Sequence, residues 1–211
     1  MAKALDYNSM EHMNGDQIVA IRILTTGPDP YFHELCQIAC VPLDYRLEQR
    51  KDVMPLQLNV RPEEPGRVDK EYCTMKKITP VMTDSHEMGK AADLFETWVS
   101  RLKLPYTKFN RRKKLMPLGH CFSQDYPFIL RWLGHDLYNE TFEMRYRDTE
   151  TVALFLNEQA SFHARRVDYS KTDLSWCCKQ HEISRERSHD TLLDCRAIAR
   201  LYQRQCQVGL L

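Results

Sequence analysis

Residues 17 to 24, QIVAIRIL, constrain the fold more than any other stretch of this chain. The run is β-rich and almost continuously apolar, the pattern of a central strand covered on both faces. A Thr-Thr-Gly turn follows at 25–27. Arg22 is the awkward residue, a fixed positive charge inside an otherwise buried strand.

Two more strand patterns come next. HELCQIACVPLD (33–44) reads as a second strand, and MPLQLNVRP (54–62), which alternates polar and apolar residues, as a third. Three consecutive strands with short links predict an antiparallel meander. PEEPG (62–66) breaks the pattern, and residues 68–86 have room for one short helix stopped before Pro80. Over 87–103, Ala91, Leu94, Phe95, Trp98, Val99 and Leu102 recur at the spacing of one buried helical face. MPLGHC (116–121) reads as a short strand, and SQDYPFILRWLGHDL (123–137) begins a helix. Further helices are expected over 148–160, 171–182 and 188–206. A meander, then strand–helix alternation, then helices argues for a mixed α/β sheet flanked by helices.

With 211 residues the chain has material for one well-filled domain, expected over 17–211 behind a polar lead-in at 1–16. Its formal net charge of +1 rules out a polycation, so any nucleic-acid footprint must come from local clustering. No run approaches the ~18–20 apolar residues of a membrane span, and the N-terminus has no apolar signal-peptide core. Eight cysteines occur without a CxxC pair, most within apolar segments. Buried free thiols, and with them a reducing, cytoplasmic location without membrane attachment, are expected.

Three separated segments carry a resemblance. The first is Arg22-Ile23-Leu24-Thr25-Thr26-Gly27, the second LGHCFSQDYPFIL with Asp125, and the third SHDTLLDCRAIA with His189 and Asp194. In order and spacing they resemble the DEDDh 3′–5′ exonucleases of the ribonuclease H-like superfamily, over roughly residues 17 to 206. The resemblance implies a ribonuclease H-like mixed sheet, an antiparallel three-strand meander plus parallel strands, flanked by helices. It also implies that Asp125 and Asp194 are metal-ligand positions and that His189 is the general base. The Tyr-containing branch would place its Tyr where this chain has Asp190, so the His branch fits better. The departure is in the first motif, where the family's Asp and Glu are replaced by Arg22 and Leu24.

The chemistry of such a site needs carboxylates. Two divalent ions ~3.5–4 Å apart activate the water and steady the leaving oxygen, and Mg²⁺ or Mn²⁺ takes hard oxygen ligands. Leu24 offers no donor atom, and Arg22 stays protonated and cannot ligate. At ~4 Å and an effective dielectric of ~20, each charge–charge interaction is worth about 4 kcal/mol. Two lost attractions and one new repulsion suffice to empty a two-metal site. The expectation is a catalytically degenerate exonuclease fold without cofactor, in which Arg22 pairs with Asp125 and Asp194. The alternative is an active or weakly active, Mg²⁺- or Mn²⁺-dependent 3′–5′ exonuclease on single-stranded DNA or RNA, with a metal on Asp125, Asp194 and Glu34. Asp29 and Glu34 are the neighbouring acids that could replace the lost ligands.

Several residues keep two readings. His189 is either the former base or a loop histidine near a helix start, and His120 is read as structural. Thr25, Thr26 and Gly27 either seat a strand terminus or only make a tight turn. Residues 101–114 hold seven Lys and Arg and no acid, with Tyr106 and Phe109 interleaved. Lys108, Arg111, Arg112, Lys113 and Lys114 there form either a backbone-tracking patch with stacking rings or a solvated loop. HARRVD (163–168) and SRERSH (184–189) add further basic residues. The implied partner is single-stranded nucleic acid or a protein.

Overall fold

A computed structural model describes residues 15–80, 84–166, 169–185 and 190–207. Its framework is a five-stranded sheet in the order β3-β2-β1-β4-β5. β1 (Gln17–Thr25), β2 (Leu35–Pro42) and β3 (Leu56–Asn59) form the antiparallel meander. β4 (Leu115–Gly119) and β5 (Arg147–Asp148) add to the other side of β1 in parallel. The helices are α1 (Lys70–Lys76), α2 (Met88–Arg101), α3 (Phe122–Thr141), α4 (Thr149–Phe162), α5 (Leu174–Gln180) and α6 (Thr191–Gln207).

β1 is central, and its side chains alternate between two cores as the pleat requires. Val19, Ile21 and Ile23 join Phe95, Trp98, Phe122, Ile129 and Phe142 beneath α2 and α3. Ile18 and Ala20 pack on the opposite face with Leu156, Cys195, Ile198 and Leu201 of α4 and α6. By the same alternation Arg22 and Leu24 belong to the α6 face. Strand β4 pairs only with Gln17–Ala20, so both residues lie beyond its end, where the sheet opens.

The sequence expectations shift at several ends. The third strand is four residues long rather than nine, because Pro55 has no N–H to donate and the Met54 carbonyl is taken by Trp98 Nε1 at 2.8 Å. Helix α1 stops at Lys77, which adopts a left-handed conformation (φ 54°), well before Pro80. Helix α3 runs past the expected segment to Thr141 but is broken at Gly134, where φ is 73°. The two-residue β5 has no periodic signal and was not expected.

Candidate functional site

A cleft of about 480 Å³ opens where β1 and β4 end. Arg22 and Leu24 reach it from β1, Asp125 from the first turn of α3 and Asp194 from the first turn of α6. Three distant segments therefore meet at this cleft. Chain geometry puts them there. β4 ends at Gly119, where an added Cβ would come within 2.7 Å of the Phe122 side chain. Cys121 then turns the chain with φ 58°, and α3 starts at once. Asp190 starts α6, its carboxylate accepting from Leu192 N and Leu193 N at 3.0 and 3.1 Å.

The Arg22 guanidinium sits between the two carboxylates. Its Nη1 is 3.5 Å from Asp125 Oδ2 and its Nε 3.9 Å from Asp194 Oδ2. Burial works to lower the Arg22 pKa, but Asp125 and Asp194 outweigh it and hold the group above its ordinary value. Asp125 moves the other way. Burial pushes its carboxyl up to about 6, with Arg22 pulling it down and Asp148 adding to the rise.

Arg185 completes the arrangement and was not singled out by the sequence motifs. Its Nη2 and Nε donate to Asp194 Oδ1 at 2.7 and 2.9 Å, and its Nη1 donates to Ser175 Oγ at 2.5 Å. The only sequence signal was its place in the basic SRERSH segment, and a loop has no periodicity from which to read a direction. Tyr72, Lys76 and Ile78 form another part of the wall, and Asp173 and Gln124 also line it. Among the described residues, the cations and carboxylates lining the cleft come close to balance.

These residues do not fit a two-metal centre. Asp125 and Asp194 each already face a guanidinium, with Arg22 placed between them and Arg185 on Asp194. Among the described residues no group of three or more His, Cys, Asp and Glu side chains is placed to share an ion. Asp29 and Glu34, the conceivable rescuers, do not line the cleft. The Asp29 carboxylate accepts from Tyr31 N at 2.9 Å, and Glu34 lies 3.7 Å from Arg67 and accepts from Glu64 N.

The remaining site candidates fall in different places. His189 lies outside the described residues. His120 is buried, with Nδ1 2.8 Å from Thr149 Oγ1, and burial lowers its pKa. Thr149 Oγ1 also lies 3.3 Å from Gly119 O, so this hydroxyl ties His120 to the end of β4. Thr25 lines the cleft, its hydroxyl donating to Gly27 O at 2.8 Å. Thr26 is fully buried; its hydroxyl donates to Arg67 O and accepts from Glu34 N, both at 2.9 Å. It is occupied in holding the turn. Gly27 lies under the His33 ring, which an added Cβ would approach to 2.2 Å. Lys108, Arg111, Arg112, Lys113 and Lys114 precede β4, at the opposite end of the sheet from the cleft.

No protein-family model and no curated protein matches the sequence. Solved structures do match. The nuclease domain of 3′hExo, a DEDDh family member bound to rAMP, is 20% identical with a TM-score of 0.64, over 98% of this chain and 96% of that one. Exonuclease I from Methylocaldum szegediense is 18% identical with a TM-score of 0.67, over 92% and 41%. Cell-death related nuclease 4 is 17% identical with a TM-score of 0.65, over 92% and 64%. The chain therefore has the fold of the DEDDh exonucleases, a ribonuclease H-like mixed sheet flanked by helices. It spans less than two thirds of cell-death related nuclease 4 and about 40% of the exonuclease I chains. At these identities the likeness is one of fold.

Proposed function

We propose that this is a catalytically degenerate exonuclease-fold protein that works by binding, with single-stranded nucleic acid as the ligand and a protein partner as the alternative. The observation that carries the reading is the Arg22 guanidinium held between Asp125 and Asp194. A guanidinium there repels a dication and supplies the counter-charge two buried carboxylates require. Fold neighbours support the ligand class: exonuclease I has been solved with single-stranded DNA, and a 3′-exonuclease recognises a histone mRNA stem-loop. All eight cysteines are free, and burial pushes the Cys36 thiol up to about 12. Free thiols, most of them buried, support a reducing, cytoplasmic setting. Among the described residues no helix is long and apolar enough to cross a membrane.

The purified protein should leave a labelled single-stranded oligonucleotide intact in Mn²⁺ and show no divalent-ion binding by calorimetry. Hydrolysis that disappears in Asp194→Ala would overturn the reading. The double variant Arg22→Asp with Leu24→Glu should gain Mn²⁺ binding and some cleavage. Because Arg185 still holds Asp194, adding Arg185→Ala should strengthen both gains. A salt-sensitive gel shift with the oligonucleotide supports nucleic acid over a protein-only scaffold.

A further inference from the structure

We propose that the hairpin between α2 and β4, residues 103–114, is a docking surface for single-stranded nucleic acid, separate from the cleft. The inference deepens the binding reading above and rests on it for the ligand class. The segment is built, not slack. Lys113 N donates to Pro105 O at 2.8 Å, Thr107 N donates to Arg111 O at 2.7 Å, and Tyr106 bridges Arg112 in antiparallel fashion. Asn110 closes the tip with φ 56°, its N–H donating to Thr107 O at 3.0 Å. The Thr107 hydroxyl accepts from Phe109 N and Arg111 N, each at 3.3 Å. Buried Leu104 and Leu115 anchor the two ends.

This ordered tip displays groups that have no place in either core. Tyr106 is 66% exposed and Phe109 74% exposed. Lys103, Lys108, Arg111 and Arg112 are exposed around them, and Lys108 Nζ lies 5.1 Å from the Phe109 ring centre. A groove of about 390 Å³ at its base is lined by Arg111, Arg112, Lys113, Lys114 and Arg145. The two acids there are Asp16 and Glu143, and Asp16 is already engaged by Arg147 at 2.5 Å.

Cations alone would serve any polyanion. Cations interleaved with exposed rings fit a chain of phosphates whose unpaired bases have free faces to stack. A duplex hides those faces. The site is also electrostatically its own. In the parallel register Leu115 pairs with Gln17, so the hairpin root lies about five strand residues, or ~16 Å, from Arg22. That exceeds the ~8–10 Å screening length at physiological salt.

The test is fluorescence anisotropy with a labelled single-stranded oligonucleotide in EDTA, across a range of salt. Removing three cations (Lys108→Ala, Arg111→Ala, Arg112→Ala) should reduce the log–log salt slope by about 2. Phe109→Ala should weaken binding about tenfold with the slope unchanged, and Phe109→Trp should retain it. A control removing the exposed cations Lys51, Lys90 and Arg200 should change neither quantity comparably, and thermal melting checks that each variant is folded. The proposal is overturned if the wild type binds no oligonucleotide, if hairpin and control variants weaken equally, or if duplex binds as well as single strand. Binding to anionic vesicles in place of oligonucleotide overturns it too. Failure of the wild type to bind removes the nucleic-acid ligand from both readings, whereas equal weakening of hairpin and control variants removes this proposal alone. Because EDTA silences any metal chemistry, cleavage in Mn²⁺ would leave it standing.

Discussion

Arg22 brings a charge that cannot be shed to the point where carboxylates from α3 and α6 converge. The Coulomb attraction there is shared: Asp194 has Arg185 as well, while Arg22 is the cation in ion-pair contact with Asp125 among the described residues. Arg22→Met should therefore destabilise the fold by about 2 kcal/mol in urea denaturation, below the value for a fully buried pair because the arginine is partly exposed. Asp125 gives a pH signature. Its ordinary value of 3.8 is raised to about 6, chiefly by burial. Between those values the folded chain keeps a proton that the unfolded chain has released. The associated stability is full below about pH 4 and is lost as pH rises through about 6. Asp125→Asn should abolish this loss, flattening the stability profile across pH 4–7 by about 2–3 kcal/mol. An unchanged slope would show that Asp125 is ionised throughout.

At the scale of elements, the cleft depends on how α3, α4 and α6 begin. Asp148 starts two of them. Its carboxylate accepts from Glu150 N at 2.8 Å and Thr151 N at 3.2 Å, capping α4. It also accepts from Phe122 N at 2.5 Å and Cys121 N at 3.3 Å, where α3 leaves β4. Asp148→Ala should cost about 2–3 kcal/mol in denaturant unfolding, above a single lost cap, because both helix starts lose their acceptor. Asp148→Asn should recover part of it. A sequence shows an acid before a helix; it does not show that the same carboxylate closes a second helix 26 residues earlier. The entry to α6 is similar: Thr191 Oγ1 donates to Gln37 on β2 at 2.7 Å and accepts from Gln57 on β3 at 3.0 Å.

The whole molecule has two ends with different characters. The cleft, with its paired carboxylates and guanidinia, lies at the carboxyl ends of β1 and β4, and the basic hairpin lies at their amino ends. No hairpin residue from 105 to 114 belongs to either core. Replacing residues 106–111 by a two-residue Asn-Gly turn should thus shift unfolding stability by less than about 1 kcal/mol while removing oligonucleotide binding. A large loss of stability would mean that the hairpin is a structural element.

The sequence by itself determined the strand QIVAIRIL, the meander after it and the helical face of α2, and its motif spacing singles out Arg22, Leu24, Asp125 and Asp194. Periodicity and motif spacing are local properties, and they survive without coordinates. Tertiary structure decided what those residues meet. Arg185 approaches Asp194 from a loop, Thr26 spends its hydroxyl inside the turn, and Glu34 turns to Arg67 instead of the cleft. The basic run was legible as composition, but its separation from the cleft follows from the parallel register of β1 and β4. Ion pairing and hydrogen bonding depend on distances set by packing between remote segments, which no spacing along one chain encodes directly.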